Sequence, residues 1–106
     1  MTPSRLDTMR DMVAKNPTSA LARFGLANEA LKEQLYEEAA EHLRAYLDRH
    51  EDEGNGYGRL AHALAKLGRI DEARDALHKG IDASRRFGHP GMVSEFESRL
   101  EELEGE

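Results

Sequence analysis

The stretch that decides the fold is GNGYGRLAHALAKLGRIDEARDALHKGIDASRRF, which runs from Gly54 to Phe87. Its apolar side chains recur at steps of three and four residues, which is the spacing of one face of a helix. Gly68 interrupts this pattern half way along, and glycine suits the left-handed residue that ends many helices. The stretch is therefore predicted to form two helices joined by a short turn, which makes an antiparallel helix pair.

The preceding 34 residues, 20–53, are a second copy of this stretch and align with it without a gap. Seven positions are identical when the chain is shifted by 34 residues, and they fall at helical spacing. Such a period indicates a repeat architecture, so 20–53 and 54–87 are predicted to be two copies of one helix–turn–helix unit. The break in the first copy, Glu33-Gln34-Leu35, lacks a glycine and is the weaker turn signal. The identical pairs are Leu26/Leu60, Ala27/Ala61, Lys32/Lys66, Glu38/Glu72, Ala39/Ala73, Leu43/Leu77 and Asp48/Asp82.

Amphipathic segments flank the two copies. Residues 5–17 carry an apolar stripe that ends at Pro17, because proline lacks the backbone N–H that continues a helix. After Gly88, residues 91–103 form a last apolar stripe with acidic residues opposite, and this helix is predicted to cap the array, since terminal repeats need a polar outer face. An all-α fold of about six helices follows. They are predicted at about 4–15, 19–33, 36–50, 55–67, 70–86 and 91–103.

The composition agrees with an all-α protein and excludes several classes of function. There is no cysteine among the 106 residues, so disulfides, thiol catalysis and cysteine zinc sites are excluded. Apolar runs are no longer than three residues, far short of the roughly 18 that a membrane span needs, so a cytoplasmic protein with no membrane partner is expected. The net charge is −6, whereas a nucleic-acid binder is typically basic. No nucleic-acid partner is predicted.

No enzyme chemistry is apparent in the sequence. The five histidines, at 42, 50, 62, 78 and 89, include no pair spaced by four and no H-E-x-x-H motif. The glycine-rich segment Gly54–Gly58 follows a predicted helix and lacks the Lys-Ser/Thr of a phosphate loop, so it is interpreted as a flexible link that starts the fourth helix. No catalytic, cofactor-binding or metal-binding residue is assigned, no cofactor is expected, and the chain is predicted not to be an enzyme.

The two copies resemble the tetratricopeptide repeat (TPR), a helix–turn–helix of 34 residues. The second copy matches its signature at Tyr57, Leu60, Ala61, Gly68, Ile70, Ala73, Leu77 and Gly80. The first copy matches at Leu26, Ala27, Tyr36, Ala39 and Leu43, and departs from it at Arg23, Ala30, Gln34 and Tyr46. Pro17 falls where a repeat-ending proline would, so 5–17 resembles the second half of a preceding repeat.

This resemblance implies antiparallel helix–turn–helix repeats stacked as a short right-handed α-solenoid, with residues 1–106 as a single TPR-like domain. It also implies a protein-interaction module, an adaptor or scaffold, whose groove is lined by the first helix of each repeat. Lys32 and Lys66 lie one repeat apart and are expected to stack along this groove. The alternative is that Phe24 and Leu31 pack on the first helix and the other residues are plain surface. The residues predicted to line the groove are Phe24, Asn28, Leu31, Lys32, Asn55, Arg59, His62 and Lys66.

The expected partner is a protein or peptide that presents an acidic segment or a C-terminal carboxylate. Some members of the resembled family hold a terminal carboxylate through Lys and Asn side chains; Asn28 matches one such Asn, whereas Phe24 stands where the clamp has Lys. A monomer or weak homo-oligomer is expected. Two other functions remain open, a self-associating structural module and a regulatory subunit of an enzyme complex.

Overall fold

A computed structural model describes residues 4–105, which form six α-helices and no strand. The predicted all-α fold is confirmed, and every helix end lies within one residue of its predicted position. Each helix buries apolar side chains on one side, and α3, α4 and α5 are the most clearly amphipathic. The helices are α1 (Arg5–Lys15), α2 (Ala20–Lys32), α3 (Tyr36–Arg49), α4 (Asn55–Lys66), α5 (Ile70–Arg86) and α6 (Pro90–Glu104).

The chain divides into two compact units, one ending at His50 and the other starting at Glu51. The first unit contains α1, α2 and α3, and the second contains α4, α5 and α6. In each unit the two helices of one repeat pack together, α2 on α3 and α4 on α5, and a flanking helix packs on that pair. Each repeat thus has the predicted helix–turn–helix form.

Small residues line the seam between the two helices of each repeat. Ala27 and Ala39 are 0% exposed in the first repeat, and Ala61 and Ala73 are 1% and 0% exposed in the second. Alanine lets two helix backbones approach closely, and larger side chains beside it fill the remaining space. Each of those larger side chains contributes roughly 1.5–3 kcal/mol by leaving water. The largest of them, with less than 2% exposure, are Leu26, Leu43, Leu64 and Leu77.

The turn inside the first repeat is as well formed as the turn inside the second. Gln34 has φ of 60°, and the N–H of Leu35 donates to the carbonyl of Ala30 at 2.8 Å. In the second repeat Gly68 has φ of 77°, and the N–H of Arg69 donates to the carbonyl of Leu64 at 2.9 Å. Both turns end the helix with a residue in the left-handed conformation, and in both the next N–H donates to a carbonyl five residues before it.

The glycine-rich segment starts α4, as predicted, but it is a packed part of the helix and not a flexible link. The backbone N–H groups of Gly54 and Gly56 both donate to Asp52 Oδ1 at 2.8 Å, and Asp52 is only 7% exposed. A carboxylate in this place satisfies helix-end donors and suits the positive end of the helix dipole. Within α4, a Cβ on Gly58 would lie 2.7 Å from the ring of Phe96 in α6. Glycine there makes room for the neighbouring helix.

Candidate functional site

The second unit contains a cleft of about 280 Å³ between α4, α5 and α6. Its apolar lining includes Ala61 and Leu77, which are buried, whereas His62 and Lys66 are exposed. The cleft therefore has an apolar floor with polar and charged groups at its rim. Its lining residues are Ala61, His62, Ala65, Lys66, Ile70, Leu77, Arg99, Glu102 and Leu103.

The helices set the positions of the cations around this cleft. His62 and Lys66 are four residues apart on α4, a spacing that brings side chains to the same helix face. On the other side, Phe96 anchors α6 by filling the space that Gly58 and Gly80 leave open. Arg99 follows Phe96 by one helical turn, and its Nη2 donates to the carbonyl of Gly58 at 3.0 Å.

Partial burial weakens the hydration of two of these basic groups. Burial lowers the pKa of the Arg99 guanidinium from its ordinary value, and the nearby Glu95 and Glu102 partly oppose this effect. Burial also lowers the pKa of His62, and the positive charges of Arg99 and Lys66 lower it further. Arginine stays charged at neutral pH in spite of such a shift. The cleft thus combines two cations with an imidazole that an incoming anion would help to protonate.

Two of the four groove residues predicted in the second repeat, His62 and Lys66, line this cleft. Asn55 and Arg59 are exposed on α4 and are not among the residues that line it. Arg99 was missed, because residues 91–103 were interpreted only as a cap. The signal that could have drawn attention to it is a basic residue one turn after a buried aromatic residue.

In the first unit, the predicted groove residue Phe24 has a ring neighbour on α3. Its ring is half-buried and lies edge-on to Tyr46, with the centroids 4.9 Å apart. Tyr46 in turn stacks on the ring of His50, with centroids 5.6 Å apart. Leu31, the other apolar residue predicted in this groove, is also half-buried. Phe24 thus belongs to an aromatic row that extends along α3.

The polar groove residues of α2 lie beside a buried carboxylate. The Oδ1 atom of Asn28 is buried and has no hydrogen-bond partner among residues 4–105. Lys32 is exposed, with its Nζ 3.8 Å from Glu29 Oε2, and the same oxygen lies 3.1 Å from Arg5 Nε. Lys32 therefore shares the charge of Glu29 with Arg5. The carbonyl oxygen of Asn28 lies below the surface, where a binding partner does not reach it.

A polar network joins the three helices of the first unit, and the sequence patterns did not predict it. Arg10 on α1 pairs with Glu38 on α3 through two hydrogen bonds of 2.8 and 2.7 Å. Glu38 Oε2 lies 3.9 Å from His42 Nε2, and Arg23 Nη1 lies 2.9 Å from His42 Nδ1. Arg23 also donates to the carbonyl of Pro17. Because a guanidinium only donates, His42 Nδ1 is the acceptor in this arrangement.

The surroundings of His42 lower its pKa. Burial is the largest cause, and the positive charges of Arg23 and Arg10 act in the same direction, while Glu41 and Glu38 oppose them. Arg10 in turn lowers the pKa of Glu38, chiefly through their hydrogen bonds. At neutral pH His42 is therefore an uncharged acceptor for Arg23.

The described residues contain no arrangement for metal chemistry or membrane crossing. Between Ser4 and Gly105, no three His, Asp or Glu side chains are grouped so that they could hold a metal ion. Over the same range, no helix has both the length and the apolar character to cross a membrane. What the cleft offers to a ligand is positive charge beside apolar surface.

The family model of the tetratricopeptide repeat matches residues 30–86 of this chain, which is more than half of its length. The chain therefore belongs to the tetratricopeptide repeat family. Members of this family are generally interaction modules without enzymatic activity, and the family places this protein among protein-binding repeats. No curated protein matches the chain.

Solved structures share the fold of this chain. Protein BPP2914 from Bordetella parapertussis, solved in solution, is 25% identical, with a TM-score of 0.79 over 96% of this chain and 89% of that one. A structure of MamA from MSR-1 is 19% identical, with a TM-score of 0.68 over 94% of this chain and 66% of its own. A mutant of MamA is 20% identical, with a TM-score of 0.65 over 92% of this chain and 65% of its own. This chain thus spans about two thirds of the two MamA chains, and their likeness is one of fold.

Proposed function

We propose that this protein is an adaptor or scaffold module that binds a protein or peptide partner through the exposed faces of α2 and α4, the first helices of its two repeats. The observation that carries the proposal is the cleft of the second unit, where the predicted residues His62 and Lys66 stand beside apolar side chains. Membership of a family of protein-binding repeats supports it. In this proposal residues 1–106 act as one domain, in the cytoplasm and without catalysis of their own.

The partner is proposed to be acidic. Lys32 on α2 and Arg59 and Lys66 on α4 are exposed cations in a protein of net charge −6. A segment rich in Asp and Glu, or one that ends in a free carboxylate, complements these groups. Because the cations are exposed, binding should weaken as salt is added.

The test is capture of a partner from the source cell by the full chain and by a charge-reversal variant. Lys32→Glu combined with Lys66→Glu should abolish capture and leave the helical content unchanged, since both side chains are exposed. The matched control is Lys15→Glu combined with Lys79→Glu, which makes the same change in net charge at exposed lysines, again one in each unit. Full capture by the folded Lys32/Lys66 variant, or equal loss in the control, contradicts the proposal.

A second candidate function is self-association, and exposed apolar side chains favour it. Leu21 is 86% exposed and Phe87 is 38% exposed, although both are large and apolar. A second copy of the chain that covered either side chain would remove apolar surface from water. Light scattering over a concentration series tests this function. A constant monomer mass at all concentrations contradicts it.

A further inference from the structure

Helix α1 is attached to the first repeat largely through charged side chains. Among the residues of α1, every one of which the structure describes, Val13 is the one that is buried. Arg5 Nε lies 3.1 Å from Glu29 Oε2 on α2. Arg10 makes its two hydrogen bonds to Glu38 on α3. A helix that buries so little apolar surface opens at a lower cost in free energy than the helices on which it packs.

The imidazole of His42 on α3 lies where the polar contacts of α1 meet. Its Nδ1 is 2.9 Å from Arg23 Nη1, and Arg23 Nε donates at 3.0 Å to the carbonyl of Pro17, in the turn that joins α1 to α2. Its Nε2 is 3.9 Å from Glu38 Oε2, the oxygen that also accepts from Arg10 Nε at 2.8 Å. One titratable ring thus adjoins both the turn that follows α1 and the carboxylate that pairs with α1.

Protonation of His42 changes both contacts in the same direction. Neutral Nδ1 accepts a hydrogen bond from Arg23, whereas protonated Nδ1 carries an N–H and a positive charge, and both repel the guanidinium. Because the guanidinium is a rigid plane, a rotation away from His42 also disturbs its hydrogen bond to the carbonyl of Pro17. At the same time the imidazolium attracts Glu38 and competes with Arg10 for it. Both changes loosen α1.

We infer that His42 is a pH-sensitive latch for α1: protonation of the imidazole releases α1 from the α2–α3 pair, while the two helices of that pair stay folded. The charged groups that face the imidazole are Glu38 and Glu41 on its own helix, Arg23 on α2 and Arg10 on α1. The latch does not depend on the proposed adaptor function. Its effect is to uncover, as the pH falls, the surface of α2 against which α1 packs.

The direction of the effect follows from linkage between protonation and release. Burial, together with the charges of Arg23 and Arg10, lowers the pKa of His42 in the docked form below its ordinary value of 6.5. In the released form Arg10 has moved away with α1, so the imidazole binds its proton more tightly. The docked form is therefore favoured at neutral pH, and the ratio of released to docked molecules rises as the pH falls below 6.5.

The first measurement is the tautomer and the titration of His42 in the full chain, by two-bond ¹H–¹⁵N NMR of the imidazole. At about pH 7.5 the proton should be on Nε2, because Arg23 donates to Nδ1. The signals of the Arg23 Nε–H and of the α1 backbone should change with the same midpoint as the imidazole. An Nδ1–H tautomer at neutral pH would overturn the inference, since the ring could not then accept from Arg23.

The second measurement is hydrogen exchange of the backbone amides, expressed as protection factors so that the pH dependence of the exchange chemistry is removed. Amides 9–15 of α1 should be at least about tenfold less protected than amides in the middle of α2 and α3, because α1 opens alone. Between about pH 7.5 and pH 5 the protection of α1 should fall at least about fivefold. Urea at about 1 M should affect α1 less than α2 and α3, since release exposes less surface than unfolding.

The variants assign the latch to its residues. His42→Gln retains an acceptor and does not titrate, so the same change of pH should lower the protection of α1 less than about twofold. Glu38→Gln weakens the pair with Arg10 and should lower the protection of α1 at least about fivefold already at about pH 7.5. The matched controls are His78→Gln and Glu33→Gln, which change exposed side chains and should keep the wild-type pH profile.

Three further results would contradict the latch. They are exchange of the α1 amides only together with those of α2 and α3, a loss of α1 protection at low pH that His42→Gln retains in full, and equal protection of α1 in Glu38→Gln and the wild type. Should His42→Gln fail to fold, the common midpoint of the imidazole and α1 signals and the effect of Glu38→Gln carry the test.

Discussion

Gln34 and Gly68 occupy the same left-handed turn position in the two repeats, with φ of 60° and 77°. In both turns the N–H of this residue donates to the carbonyl three residues before it, at 3.1 Å from Gln34 and 3.0 Å from Gly68. A residue with a Cβ is strained in this conformation by about 1 kcal/mol, whereas glycine is not. The first repeat therefore forms the same left-handed turn as the second, although glutamine and not glycine occupies the turn position.

Replacing Gln34 with glycine should stabilise the protein. The change relieves backbone strain but increases the entropy of the unfolded chain, so the free energy of unfolding should rise by about 0.5–1 kcal/mol. Gly68→Gln should lower it by about 1 kcal/mol, and a Cβ at that position meets no atom within 4 Å, so the effect isolates the backbone. Urea unfolding followed by circular dichroism measures both. Equal stability of both variants and the wild type would contradict the strain argument.

Gly58→Ala should destabilise the second unit although alanine is the better helix former. Its Cβ would lie 2.7 and 2.8 Å from two ring atoms of Phe96, which is 2% exposed and has little room to move. Overpacking of this kind costs about 1–3 kcal/mol, which exceeds the gain in helix propensity of about 1 kcal/mol.

Gly91→Ala is the matched control for Gly58→Ala. Gly91 also lies in a helix, α6, but a Cβ there meets no atom within 4 Å. Its substitution should raise the free energy of unfolding by up to about 1 kcal/mol. The two changes should therefore have opposite signs in urea unfolding. If Gly58→Ala and Gly91→Ala both stabilise the protein, the Phe96 ring does not clash with a Cβ at position 58.

Asp52→Ala should lower the free energy of unfolding by about 1–2 kcal/mol, because two buried N–H groups at the start of α4 lose their acceptor. Asp52→Asn keeps an oxygen in place and should cost less than half as much, since only the charge is lost. The midpoint of urea unfolding distinguishes the two. If alanine and asparagine are equally destabilising, the charge, and not the hydrogen bonds, is what matters.

The stability of the first unit should fall as the solution becomes acidic. The pKa of His42 is lowered below its ordinary value of 6.5 in the folded protein, so the unfolded chain binds a proton at higher pH than the folded one. The stabilising contribution is therefore complete above about pH 6.5 and is lost as the pH falls toward the folded-state pKa. Protonation of Nδ1 also removes the acceptor that Arg23 uses at 2.9 Å.

His42→Gln tests this pH dependence, because glutamine does not titrate in this range. Unfolding midpoints between about pH 5 and pH 7.5 should depend less on pH in the variant than in the wild type. His62, whose pKa is also lowered, is retained in both proteins, so some pH dependence should remain in the variant. Identical slopes would show that His42 does not couple protonation to folding.

The helices and the repeat were readable from the sequence because they depend on local spacing. Apolar residues at steps of three and four determine where a helix lies and which face it buries, and the 34-residue copy shows that the unit occurs twice. Ala27, Ala39, Ala61 and Ala73 match the repeat signature in the sequence, and all four are buried. Neighbours along the chain carry this information, so no tertiary contact is needed to extract it.

The site depended on contacts that a helical period does not encode. Arg99 reaches the carbonyl of Gly58 across 41 positions of sequence, and Asp52 is an end cap whose role appears only when α4 begins beside it. The glycines looked like a flexible link because their composition is that of a loop. They are buried at the start of a helix, and Phe96 of α6 occupies the space that the missing side chain of Gly58 leaves. Helix periodicity determines which face of α6 is apolar, but only packing in three dimensions brings Arg99 to Gly58.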